Sequence, residues 1–121
     1  MVHCIIIDDE VNCIEMLEWL LKTYCPDVVI NAMCDSGEKG IEAINKFKPD
    51  VVFLDIEMPV LNGFDLLNKI LHLNFSVVFI TAYNKYALKA FRFNALDYLV
   101  KPIDTADLVE AVAKAEARAS E

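Results

Sequence analysis

Val51-Val52-Phe53-Leu54-Asp55 is an unbroken apolar run that stops on a carboxylate. It lies between the turn Lys48-Pro49-Asp50 and a loop marked by Met58-Pro59. A short run with no polar alternation suits a strand buried on both faces, as in a parallel sheet. The same grammar recurs along the chain. Cys4-Ile5-Ile6-Ile7 stops at Asp8-Asp9, Val77-Val78-Phe79-Ile80 stops at Thr81, and Tyr98-Leu99-Val100 stops at Lys101, which is followed by Pro102. In an open parallel α/β sheet the carboxyl ends of the strands line the crevice where ligands bind. Three acids, a hydroxyl and an amine are therefore expected on one rim. Carboxylates in this number suit a hard cation such as Mg²⁺, and Lys and Thr can hold a phosphoryl group. The set reads as a site for a phosphorylated aspartate.

Amphipathic stretches fill the intervals. Val11, Ile14, Leu17 and Leu21 recur at helical spacing, with Glu15, Glu18 and Lys22 on other faces, and Pro26 closes that helix. Val28-Val29-Ile30 opens a second strand. Asp35 or Ser36 can cap the next helix, with Gly40, Ile44 and Phe47 as its inner face. Asn62-Gly63 leads into a third helix carrying Leu66, Leu67, Ile70 and Leu71. A fourth helix is expected from about Lys85 to Phe93, carrying Leu88 and Phe91. Asp104 caps the last, whose Leu108, Val112 and Ala115 share a face. Five β-α units of this kind imply right-handed crossovers and a parallel sheet covered on both sides.

The 121 residues fit one domain, with no linker or low-complexity region, and the stretch after Ala115 is polar, alanine-rich and expected to fray. Hydrophobic residues make up 56% of the chain, so a buried core is expected rather than disorder. A formal net charge of −8 repels DNA phosphates and anionic membrane, which argues against direct nucleic-acid or membrane binding. No run approaches the length of a membrane span, and Met1-Val2-His3 has no basic signal-like start. The four cysteines (Cys4, Cys13, Cys25, Cys34) lack a C-x-x-C pair and read as free thiols of a cytoplasmic protein.

Asp8, Asp9 and Asp55 carry a formal −3, and Lys101 returns one positive charge. A divalent cation would cancel the remainder, which otherwise raises carboxylate pKa values. Asp55 could then attack a phosphoryl donor, with Lys101 and the Thr81 hydroxyl each taking an oxygen of the transferred group. The small Ala82 leaves room for the donor, and Lys101-Pro102 is a candidate cis bond.

At these residues the chain resembles a receiver domain of a two-component response regulator, over essentially its whole length. Asp8-Asp9 matches the family's acidic pair, Asp55 its phospho-acceptor, Thr81 its switch hydroxyl and Lys101-Pro102 its lysine with cis proline. Tyr98 falls where the family keeps a switch aromatic, and Glu57 where a backbone carbonyl meets the metal. The resemblance implies a flavodoxin-like (βα)5 doubly wound fold with strand order 2-1-3-4-5, and Mg²⁺ at Asp8, Asp9, Asp55 and the Glu57 carbonyl. It also implies a sensor histidine kinase as phosphoryl source. Thr81 and Tyr98 stand on neighbouring strands, and Tyr86, Phe91 and Phe93 supply apolar area near the fourth helix, fifth strand and fifth helix, a face that could seed a symmetric homodimer. Phe79-Ile80-Thr81-Ala82-Tyr83, Tyr86-Ala87-Leu88-Lys89-Ala90-Phe91 and Ala95-Leu96-Asp97-Tyr98-Leu99 are similar to receivers of the LytTR class, which usually precede a DNA-binding domain. No such domain lies within residues 1–121, so the expectation is a receiver that switches a separate DNA-binding output. The alternative is a stand-alone receiver acting through protein contacts. Such a domain catalyses only its own phosphorylation and dephosphorylation.

Each residue also has a plainer reading. Asp8 or Asp9 alone would be a helix cap, Thr81 a satisfied hydroxyl, Lys101 a solvated lysine and Tyr98 a core aromatic. Tyr83 and Tyr86 read as surface side chains, His3 and His72 as structural. Glu10 reads as a charge near the first helix N-terminus rather than a metal ligand. Among rivals, a flavodoxin-like cofactor binder needs a phosphate loop where Asp8-Asp9-Glu10 stands. A haloacid-dehalogenase-type, Mg²⁺-dependent aspartyl phosphatase wants D-x-D-G-T where the chain has Asp8-Asp9-Glu10-Val11. A receiver-like module that is never phosphorylated would not need the complete set.

Overall fold

The computed structural model describes residues 1–70 and 72–120. Strands and helices alternate throughout: β1 (Val2–Ile7), α1 (Val11–Tyr24), β2 (Val28–Cys34), α2 (Gly37–Phe47), β3 (Val51–Leu54), α3 (Gly63–Asn68), β4 (Ser76–Thr81), α4 (Ala87–Arg92), β5 (Asp97–Val100) and α5 (Thr105–Ala119). The strands form one parallel sheet in the order β2-β1-β3-β4-β5. This is the doubly wound arrangement expected, with β1 and β3 adjacent at the point where the winding reverses.

The apolar residues sort into two cores, one on each side of the sheet. Cys4, Ile6, Val51, Phe53, Val78 and Ile80 pack against α1 and α5, with Leu17, Leu21, Leu108 and Val112. Ile5, Ile7, Val52, Leu54, Val77 and Phe79 pack against α2, α3 and Ala90 of α4. Alternate residues of the same strands thus face opposite cores, which explains the continuous apolar runs. In the β1–β2 ladder the register slips between Cys4 and Ile5, where Asn31 is skipped.

The helix ends follow their capping chemistry. Ser36, Asn62 and Asp104 each accept a backbone N–H at the start of α2, α3 and α5. Of the two caps offered for α2, Ser36 is the one used. Several expectations need correction. Val11 and Phe47 were expected on inner faces but are 56% and 39% exposed, because each stands at a helix end that overhangs its core. The third helix stops at Asn68, with Ile70 packed against the core beyond it, and Leu71 lies outside the described residues. The fourth helix is shorter than expected, six residues from Ala87 to Arg92. Cys4, Cys25 and Cys34 are buried free thiols and Cys13 is half-buried. Burial pushes the Cys4 thiol up to about 12, so it stays protonated.

Candidate functional site at the carboxyl ends of the strands

The parallel register sets the geometry. Ile7 of β1 pairs with Leu54 of β3, so Asp8 and Asp55 leave their strands at the same level. Leu54 pairs with Phe79 of β4, which brings Thr81 one residue past that level. Thr81 in turn pairs with Val100 of β5, and the Lys101 N–H donates to the Thr81 carbonyl at 2.8 Å. The Lys101-Pro102 bond is cis, as the sequence reading anticipated.

Asp8 and Asp55 are both buried, and each divides its two oxygens in the same way. One oxygen accepts a backbone N–H: Glu10 to Asp8 Oδ1 at 2.9 Å, Ile56 to Asp55 Oδ1 at 2.7 Å. The other faces the Lys101 ammonium, at 2.8 Å for Asp8 and 3.3 Å for Asp55. Asp9 is half-buried, and its carboxylate joins those of Asp8, Glu10 and Asp55 within 4.8 Å of one another. The reading of Glu10 therefore changes. It does hold the N-cap position of α1, but its side chain makes no capping bond and turns to the rim, 3.9 Å from Lys101 Nζ. Its sequence signal was the third consecutive acid.

One lysine cannot neutralise this many carboxylates. Burial, then the Asp8 charge, raises the Asp55 carboxyl from 3.8 to about 6 despite its contact with Lys101. Burial lowers the Lys101 pKa, but the Asp8 hydrogen bond and the Asp55 and Asp8 charges outweigh it, and the net shift is upward. The two directions agree: the ammonium is over-supplied with partners and Asp55 is under-supplied. An apolar wall strengthens the effect, since Asp55 and Lys101 edge a cavity of about 480 Å³ lined also by Met16, Leu20, Phe53 and Ile103.

Thr81 supplies the complementary deficit. Its side chain is fully buried, and its hydroxyl has no hydrogen-bond partner among the described residues. A buried hydroxyl left unpaired is destabilising by about 1–3 kcal/mol, so a ligand oxygen here would be held strongly. The four carboxylates fit a hard divalent cation: oxygen ligands, excess negative charge, and an open side at half-exposed Asp9 and exposed Glu10.

Three further residues frame the rim. Gly63 N–H donates to the Ile56 carbonyl at 2.8 Å, and a Cβ on Gly63 would stand 2.6 Å from the Asp55 carbonyl oxygen. Only glycine lets α3 start this close to Asp55, a role that Asn62-Gly63 did not reveal. Tyr98 is half-buried against Phe79, with ring centroids 6.4 Å apart, and its hydroxyl donates to the Tyr83 carbonyl. Glu57 is exposed, and its side chain accepts a hydrogen bond from the Tyr86 hydroxyl. Tyr86 is thus half-buried and engaged rather than a free surface residue.

Residues 4–113 match the family of response regulator receiver domains. The chain is 41% identical over 115 residues to the sensory transduction protein LytT of Enterococcus faecalis, covering 93% of this chain and 47% of that protein. It is 40% identical over 116 residues to the transcriptional regulatory protein BtsR of Escherichia coli, covering 94% and 48%. The chain therefore spans about half the length of the curated relatives it matches. Among solved structures, the response regulatory domain of protein mrkE from Klebsiella pneumoniae superposes with a TM-score of 0.86 at 30% identity, covering 96% of each chain.

Proposed function

This chain belongs to the response regulator receiver domains of two-component systems, and from that membership we infer that Asp55 is the residue that takes the phosphoryl group. The donor is a phosphohistidine of a sensor histidine kinase. An Asp55 oxygen attacks phosphorus, the P–N bond breaks, and the imidazole leaves with the bonding pair. Lys101 follows one phosphoryl oxygen from its present seat between Asp8 and Asp55, and the Thr81 hydroxyl donates to another. Asp8, Asp9 and Asp55, with the Glu57 backbone carbonyl, would hold Mg²⁺, which supplies charge neutralisation for the acid cluster and the incoming phosphoryl group. The Asp55 carboxyl, raised to about 6, is still ionised at neutral pH and more basic than an ordinary aspartate. The chain's catalysis is confined to its own phosphorylation and hydrolysis.

The reading rests above all on Asp55: a buried, under-neutralised carboxylate against Lys101, on the strand next to the unpartnered Thr81 hydroxyl. Intact-protein mass spectrometry after treatment with acetyl phosphate and Mg²⁺ should show one added phosphoryl group, absent from Asp55→Asn. An equal gain in Asp55→Asn would overturn the assignment.

Residues 1–121 form the receiver, and relatives about twice as long support an output domain outside this stretch. The names of LytT and BtsR favour DNA-binding, LytTR-type transcription control over a stand-alone receiver. DNA would then be contacted by that output alone. The compartment is the cytoplasm, in keeping with four free thiols. Among the described residues no helix is long and apolar enough to cross a membrane.

A further inference from the structure

Glu57 stands two residues past Asp55, yet its carboxylate is not in the cluster of Asp8, Asp9, Glu10 and Asp55. Its Oε2 accepts a hydrogen bond from the Tyr86 hydroxyl at 3.0 Å. Tyr86 is fixed from several sides. Its ring meets Phe64 edge-on at 6.0 Å and Tyr83 at 6.3 Å, and the Lys85 ammonium stands 5.2 Å from its centroid. Phe64 is buried and follows Gly63, whose backbone is pressed against the Asp55 carbonyl. The platform under Tyr86 is thus continuous with the backbone of Asp55. A cation over the ring draws electron density from it and makes the phenol a better donor to a carboxylate.

We propose that Tyr86 is a positioning residue that holds the Glu57 carboxylate away from the Asp55 rim, keeping the approach open to an anionic phosphoryl donor. The inference rests on the reading of Asp55 as phospho-acceptor. Four carboxylates against one ammonium already leave the rim strongly negative. A fifth carboxylate free to swing inward would add repulsion along the path of the donor, and that repulsion weakens as salt screens it. Removing only the Tyr86 hydroxyl leaves the ring packed on Phe64 and releases Glu57.

The test is the rate at which Asp55 gains a phosphoryl group from acetyl phosphate and Mg²⁺. Here the P–O bond to acetate breaks as the Asp55 oxygen bonds to phosphorus. Tyr86→Phe should react roughly three- to tenfold more slowly at low ionic strength, with a gap that narrows as salt is raised. In a Glu57→Gln background the same change should have no effect, a rescue that a merely structural tyrosine would not give. A Tyr86→Phe rate equal to wild type would overturn the proposal, as would an equal loss in the Glu57→Gln background. If wild-type Asp55 takes no phosphoryl group, the underlying reading fails first, and the proposal falls with it.

Discussion

Lys101 and Asp55 show how a single side chain's state depends on its neighbours' count. Asp55 titrates near 6 where an ordinary aspartate titrates near 3.8, because burial and Asp8 outweigh its share of Lys101. Between those values the folded protein keeps a proton on Asp55 that the unfolded chain has released. Stability from this group therefore falls as pH rises from about 4 to about 6, and above about 6 the ionised carboxylate is destabilising in full. In metal-free buffer Asp55→Asn should accordingly be more stable than wild type at pH 8, by on the order of 1–2 kcal/mol after allowance for solvent at the open rim. The two proteins should converge below about pH 4, where Asp55 is protonated in both states. Urea titrations at several pH values would check this, and a gap that widened toward low pH would contradict it.

The elements hold these residues in place by register and capping. β3 is buried throughout and β1 from Cys4 to Ile7, so a one-residue slip would turn apolar side chains toward the wrong layer and move Asp8 off the level of Asp55. α5 closes the sheet behind Lys101 by burying Leu108, Ala111, Val112 and Ala115. Its start is fixed by Asp104, whose Oδ1 accepts from Ala106 N at 2.8 Å and Asp107 N at 3.2 Å. Asp104→Ala should lower stability by about 1 kcal/mol, the usual worth of such a cap. Because the loop from Lys101 to Asp104 leads directly into that cap, loss of order should begin there. Thermal melts with amide exchange across α5 would test both statements, and unchanged protection at the first turn would refute the second.

At the scale of the molecule, the face formed by α4, β5 and α5 carries exposed apolar side chains, with Phe91 at 78% and Leu88 at 67% exposed. Tyr86 and Phe93 are half-buried and pack instead against the inner cluster around Phe64. Thr81 and Tyr98 link the rim to that face: one hydroxyl has no partner among the described residues, and the other ties β5 to the loop before α4. A hydroxyl drawn to the phosphoryl group would free space for an aromatic ring, giving two packings of α4. Phosphorylation should then shift a monomer–dimer equilibrium by on the order of 1–3 kcal/mol. Sedimentation with and without phosphorylation should show the shift, and Phe91→Asp should abolish it while Asp55 still gains its phosphoryl group. Identical sedimentation in both states would place the switch elsewhere.

Much of this was legible in one dimension. The four apolar runs and their polar stops follow from strand periodicity and from where strands end, so Asp8, Asp9, Asp55, Thr81 and Lys101 could be named before any coordinates. Periodicity is a local property, and these residues owe their position to it. What sequence could not supply were quantities that depend on direction and on neighbours distant in the chain. That Glu10 turns to the rim, that Glu57 turns away to Tyr86, and that Gly63 is pressed against Asp55 are outcomes of how loops pack once the sheet has formed. Val11 and Phe47 make the same point in reverse, since helical spacing marks a face but not how far the core beneath it extends. The unpartnered hydroxyl of Thr81 and the raised pKa of Asp55 are likewise tertiary facts. Desolvation and charge balance are sums over everything nearby, and only the folded chain decides what is near.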